Sequence, residues 1–187
     1  MKMTTGFKAL LALALTVGWS AVFAASISLT PSALTVGTNQ TFTLDLDLDA
    51  SDISDPDYSG QVLISYDPTL LTFIGFAESI SGITGAPTLG TTGSLNTVKL
   101  GFGTVGFNTG TIGTYTFTSN ALLGTTDIGI EDGNLLGSFV ANSNFIDKTD
   151  PLYPQFIPAQ LTIVPLPGAL WLMLSGLGLL GLARRKA

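Results

Sequence analysis

Residues 41–49 read Thr-Phe-Thr-Leu-Asp-Leu-Asp-Leu-Asp, an unbroken alternation of polar and apolar side chains. Side chains on an extended backbone point to opposite faces in turn, so Phe42, Leu44, Leu46 and Leu48 share one face and Thr43, Asp45, Asp47 and Asp49 the other. The stretch predicts a half-buried strand, packed on a core on one side and wetted on the other. A chain built round such a strand has to supply an apolar layer to face it.

The remainder supplies one in strands. Short runs rich in β-branched and aromatic residues recur between turn residues, and no stretch keeps a helical period. Strands are predicted at 26–30 and 33–36 on either side of Pro31, at 61–66 and 70–76 joined by Asp67-Pro68, and at 96–105, 111–118 and 126–131. Asp132-Gly133 is a two-residue hairpin signal leading into 134–140. The last strand, 160–164, is expected to turn Leu161 and Ile163 toward the core. Residues 50–60 form a polar loop, and the Gly-, Ser- and Thr-rich connection 78–95 is expected to be the least ordered part. Eight or nine strands with such turns predict an all-β sandwich, jelly-roll-like or immunoglobulin-like. Phe42, Phe73, Phe102 and Phe117 are expected in its core, with Tyr66 and Tyr115 beside them and their hydroxyls reaching an edge.

Both ends of the chain carry a different signal. Lys2 and Lys8 lead into an apolar run at 9–17, and Val22-Phe23-Ala24 suits the positions a signal peptidase reads. Residues 1–24 therefore read as a signal peptide cut between Ala24 and Ala25. At the other end, Val164-Pro165-Leu166-Pro167 can neither prolong a strand nor sit inside a helix. Residues 168–183 follow without a charge. As a helix rising about 1.5 Å per residue they reach ~24 Å, against a hydrocarbon core of ~30 Å. Arg184, Arg185 and Lys186 close this transmembrane segment with a basic stop that stays cytoplasmic, and Trp171 suits the outer interface. The chain thus divides into a signal peptide (1–24), a sandwich (25–164) and a sorting tail (165–187).

The proline motif, the short apolar segment and the terminal arginines resemble the bacterial PEP-CTERM class of sorting tails, in the variant that begins Val-Pro-Leu-Pro-Ala. The likeness runs through Val164, Pro165, Leu166 and Pro167, then Trp171-Leu172, Ser175-Gly176-Leu177 and Arg184-Arg185, with Gly168 where the variant usually has Ala. It implies recognition by an exosortase, a membrane transpeptidase-like enzyme, and removal near the proline motif. The other reading is an uncut single-span anchor; the short span favours removal. Bacteria with such tails generally make exopolysaccharide. The implied route is export through the inner membrane to the outer surface or extracellular matrix.

A second resemblance covers the sandwich. Residues 62–73, with their Tyr66-Asp67-Pro68 step, residues 113–117 and the Gly124-Thr125-Thr126 entry to a late strand look like a cohesin domain. That implies a nine-stranded jelly-roll sandwich whose family members bind dockerin modules in cellulose-degrading assemblies, and whose fold relatives include carbohydrate-binding modules.

Charge and chemistry narrow the function. All thirteen carboxylates of the chain fall in the sandwich against two lysines, Lys99 and Lys148, which leaves it eleven negative charges. Such a surface repels nucleic acid and anionic lipid and favours cations or basic partners. A retained anchor would hold it awkwardly flush against the membrane. The chain has no Cys or His, and the sandwich no Arg, so the usual thiol nucleophile, imidazole base and anion clamp are missing and no enzyme is expected. Asp52, Asp55 and Asp57 in the polar loop are the candidate ligands should Ca²⁺ bind, since that ion wants six to eight oxygens. A solvated acidic face is the favoured alternative. Trp19 and Trp171 lie in the terminal segments, so Tyr58 and Tyr153 are the candidates for a glycan platform. The expected function is a non-catalytic cell-surface or matrix module that acts by interaction or adhesion, with a protein or polysaccharide partner in the envelope matrix. The alternative is a carbohydrate-binding module of an exopolysaccharide or polysaccharide-processing system, retained on a single-span anchor or released.

Overall fold

In the computed structural model, which describes residues 25–51, 53, 57–79, 84–103, 108–134, 137–141 and 144–165, the alternating stretch forms one long strand. Counted along the chain the strands are β1 (Ser26–Pro31), β2 (Thr35–Gly37), β3 (Thr41–Asp49), β4 (Tyr58–Tyr66), β5 (Leu71–Glu78), β6 (Thr88–Thr92) and β7 (Leu95–Gly103). There follow β8 (Thr109–Ser119), β9 (Gly124–Asp132), β10 (Val140–Ala141), β11 (Asn144–Phe145), β12 (Gln155–Ile157) and β13 (Ala159–Val164). They make two sheets. The first runs β12-β1-β3-β8-β5; the second runs β11-β10-β4-β9-β13-β2, with β7 on the other side of β4 and β6 outside β7.

β3 shows why these residues choose this arrangement. Phe42, Leu44, Leu46 and Leu48 are all buried between the sheets. On the outer face, Thr114 donates its hydroxyl to Asp45 at 2.7 Å and Thr111 donates to Asp47 at 2.6 Å, so each carboxylate is answered from the neighbouring strand. The register slips by one residue at Leu46/Asp47, which turns Ile112 into the core between the two threonines. From the second sheet Val62, Ile64, Leu100, Ile128, Leu161 and Ile163 close on β3 and its neighbours.

The loops gather at two ends. At one, β13 finishes and the 38–40, 67–70, 93–94 and 120–123 connections meet. Ser119 donates to the Gly37 carbonyl at 2.6 Å, Asn120 bridges to the Leu70 and Pro68 carbonyls, and the Thr38 amide reaches Val164 at 3.1 Å. At the other end the insertion between β9 and β12 folds over the sandwich and plugs it with Phe139. That ring lies within 6.2 Å, centre to centre, of Tyr58, Phe102, Tyr153 and Phe156. Gly60 faces inward on β4 and carries no side chain because the Phe139 ring occupies the place of its Cβ.

The strand pattern departs from expectation in three places. The 78–95 connection contains β6, which pairs with β7 through a turn at 93–94 in which Gly93 takes φ 62°. Asp132-Gly133 makes no hairpin: Gly133 donates to the Gln61 carbonyl at 2.8 Å, and most of 134–140 is irregular. The insertion adds the short strands β10, β11 and β12, which raises the total above the eight or nine expected. Tyr66 and Tyr115 are buried as expected, but the Tyr115 hydroxyl stays inside instead of reaching an edge.

Candidate functional site

Small and polar residues make up most of the outer surface of the second sheet. On its four-strand stretch, cross-strand pairing sets Thr88 of β6, Lys99 of β7, Leu63 of β4 and Glu131 of β9 in one row. The next row is Gly90, Thr97, Ser65 and Gly129, and on the other side Gln61 pairs with Gly101. Small and polar residues therefore surround a half-buried leucine, with Lys99 and Glu131 on the strands to either side at a backbone spacing of about 4.8 Å, and the Lys99 side chain leans toward Gly133. The arrangement can accept a partner surface, with Leu63 as its apolar anchor. Sequence reading passed over Leu63; its one signal was an apolar residue in the polar register of Gln61-Val62-Leu63-Ile64-Ser65.

Beside this face, Glu131, Asp132, Lys148, Tyr153 and Phe156 wall a groove of about 370 Å³ that reaches Leu63. Asp132 organises it. Its carboxylate accepts from the Tyr153 hydroxyl (2.7 Å), the Ser138 hydroxyl (2.7 Å), the Asn134 amide (2.8 Å) and the Ser138 amide (3.2 Å). Burial and the bond to Asp132 hold the Tyr153 hydroxyl well above the ordinary tyrosine range.

The two tyrosines proposed for a glycan platform fare differently. Tyr58 is fully buried at the start of β4, its ring against Phe139 and its hydroxyl donating to the Leu152 carbonyl at 3.4 Å. It cannot stack on a sugar, because the insertion it anchors covers it; burial raises its pKa far above the usual value. Tyr153 is half-buried, and its ring forms part of the groove wall rather than a free platform.

Of the calcium candidates, Asp57 is exposed, whereas Asp52 and Asp55 lie outside the described residues. Among the described residues no group of three or more acidic side chains is placed to hold a metal. Asp49 instead accepts the Ser51 hydroxyl and amide, which lower its pKa. Of the sorting signals, Val164 ends β13 and Pro165 is exposed just after it, and Ala25 is buried with its carbonyl accepting the Gln155 amide. Ala24, Leu166, Pro167, Arg184, Arg185 and Lys186 lie outside the described residues, among which no helix is long and apolar enough to cross a membrane.

No family model matches this sequence, and no curated protein does. Solved structures do match it in fold. The seventh ScaB type I cohesin from Pseudobacteroides cellulosolvens superimposes with a TM-score of 0.53 at 12% identity, over 75% of this chain and 94% of that one. The third ScaC cohesin of Acetivibrio cellulolyticus, solved in complex with the ScaB dockerin, gives 0.52 at 10% identity over 75% and 99%. A type I cohesin-dockerin complex from Clostridium thermocellum gives 0.50 at 15% identity over 74% and 99%. At these identities the likeness establishes the architecture: an all-β sandwich of cohesin-like fold.

Proposed function

We propose that this chain is a non-catalytic interaction module exported to the bacterial envelope, which binds a protein partner on the outer face of the second sheet and carries a PEP-CTERM-type tail for exosortase processing. The observation that supports the binding role is the β6-β7-β4-β9 face, in which Leu63 is aligned between Lys99 and Glu131 by strand register. A central apolar anchor ringed by small and charged groups suits a protein contact better than an enclosed substrate. The fold agrees, since two of the similar solved structures are cohesins captured with dockerins. The excess of acids in the domain makes the matching surface basic. The tail is read from the 164–167 motif, the uncharged 168–183 segment and the basic end, and export from the 1–24 segment as well.

The test is site-specific photo-crosslinking on cells of the native host. A photoreactive residue at Ser65 should capture one protein, and one at Thr116, on the outer face of the other sheet, should not. Leu63→Ser should weaken binding of the captured protein at least tenfold, about 1.4 kcal/mol, with the domain still unfolding cooperatively. Capture from Thr116 alone, or retention by exopolysaccharide that is lost in Tyr153→Ala, would sink this reading, the latter in favour of glycan binding in the groove.

A further inference from the structure

The sandwich is polarised along its strands. At the end where β13 finishes, the surface is made by residues 38–40, 67–70, 93–94 and 120–123 with Val164 and Pro165, and Asp67 is the one ionisable side chain among them. The same end exposes Leu122 by 56%, Leu123 by 55% and Leu95 by 37%. Asp49, Asp57, Asp132, Asp147 and Asp150 sit at the opposite end. The length of β3, at ~3.3 Å per residue, separates the two ends by roughly 26 Å, about three Debye lengths at physiological salt.

The chain leaves through this end, where Asp67 is the single acid. Gly124 pairs with Ile163, which brings Leu123 level with Val164 at the mouth of the exit. From Pro165 to the first residue of the uncharged 168–183 segment the chain can span at most ~10 Å, so no linker can lift the domain away from whatever that segment enters.

We infer that, while the tail occupies a bilayer, this end of the sandwich rests on the lipid surface with Leu122 and Leu123 seated at the headgroup boundary. That posture presents the 164–167 motif at the height where a membrane-embedded processing enzyme works. The inference builds on reading the tail as a membrane segment. It also answers the charge objection to a flush posture: apart from Asp67, the carboxylates of the described residues are held at the far end and on the flanks of the sandwich, and a single one of them meets the lipid. Leucine at an interface favours burial in the acyl boundary, whereas a solvated acid does not.

The domain has no tryptophan, since Trp19 and Trp171 both lie in the terminal segments. Three forms of the full chain, all carrying Trp19→Phe, can therefore be reconstituted in phosphatidylcholine–phosphatidylglycerol vesicles with brominated acyl chains. The first keeps Trp171 and reports the tail. The second has Trp171→Phe with Leu123→Trp and reports the exit end. The third has Trp171→Phe with Thr149→Trp and reports the far end. Bromine should quench the first two and spare the third. Quenching of the first with none in the second overturns the inference and leaves the tail reading standing. No quenching of Trp171 overturns the tail reading and, with it, the inference. Emission from Leu123→Trp that is blue-shifted yet unquenched, in a protein that cross-links as a dimer, also overturns it, in favour of self-association through this end.

Discussion

Tyr115 shows how far a residue's environment can stand from its chemistry. Its ring packs against Phe76 at 4.7 Å and Phe73 at 6.2 Å, while its hydroxyl is buried with no hydrogen-bond partner among the described residues. Burial pushes its pKa far above the ordinary 10.0, so it stays neutral at any working pH. An unanswered hydroxyl in a core costs free energy that phenylalanine would not incur. Tyr115→Phe should therefore stabilise the domain by up to about 1 kcal/mol, raising the Tm by roughly 2–4 °C. A loss of stability in calorimetry would mean the hydroxyl has a partner after all. Tyrosines were the hardest residues to read from sequence. Tyr58 and Tyr153 both stand among prolines and acids, as an exposed platform would, yet both pack on Phe139, a residue just over eighty positions beyond Tyr58 whose role no local pattern announces.

At the scale of elements, the Asp67 turn links sequence to geometry directly. Asp67 Oδ1 accepts the Thr69 amide at 2.8 Å and hydroxyl at 2.7 Å, while its carbonyl accepts the Leu71 amide at 2.9 Å and starts β5. The Thr69 bonds lower the carboxyl pKa below the ordinary 3.8. A depressed folded pKa gives stability that is complete above 3.8 and is lost as pH falls through the lower folded value. A carboxyl carbon NMR titration should place the Asp67 midpoint below 3.8, and a midpoint at or above it would contradict the turn. Elements with one wet and one dry face were legible: β3 falls where the alternation put it and β13 within a residue of it, whereas β4 begins at Tyr58, three residues inside the expected polar loop. β6 was not, because all five of its residues are exposed and a strand wetted on both faces shows no period. β10 and β11 have two residues each, too few to show any period at all. The hairpin expected at Asp132-Gly133 failed because the Asp132 side chain binds residues farther along, and Gly133 extends the pairing with β4. On the candidate face, Lys99 and Glu131 were visible as charges, but their alignment across Leu63 depends on register, which spacing along the chain does not encode.

Across the whole molecule, the first strands of the sandwich are held by its last. β1 pairs in parallel with β12 in one sheet, and β2 pairs in parallel with β13 in the other. Ala159, Leu161 and Ile163 of β13 are buried against the core. Removing that strand forfeits apolar burial of about 1.5–3 kcal/mol for each of the two larger side chains, a large share of a typical net stability of ~5–15 kcal/mol. A chain ending at Pro158 should unfold without cooperativity and be digested by protease, whereas one ending at Pro165 should resist; equal resistance would show β13 to be dispensable. The parallel closure also has a consequence in time. β1 finds β3 early, but β2 pairs only with β13, so Val36 waits for Ile163, and a strand that emerges early is among the last to find its partner. Contacts so distant in sequence make for slow folding. Until the final six-residue strand arrives, β9 offers an open edge and β2 has nothing to hold, so the nascent domain passes through a window in which it is a substrate for chaperones and proteases rather than a finished sandwich.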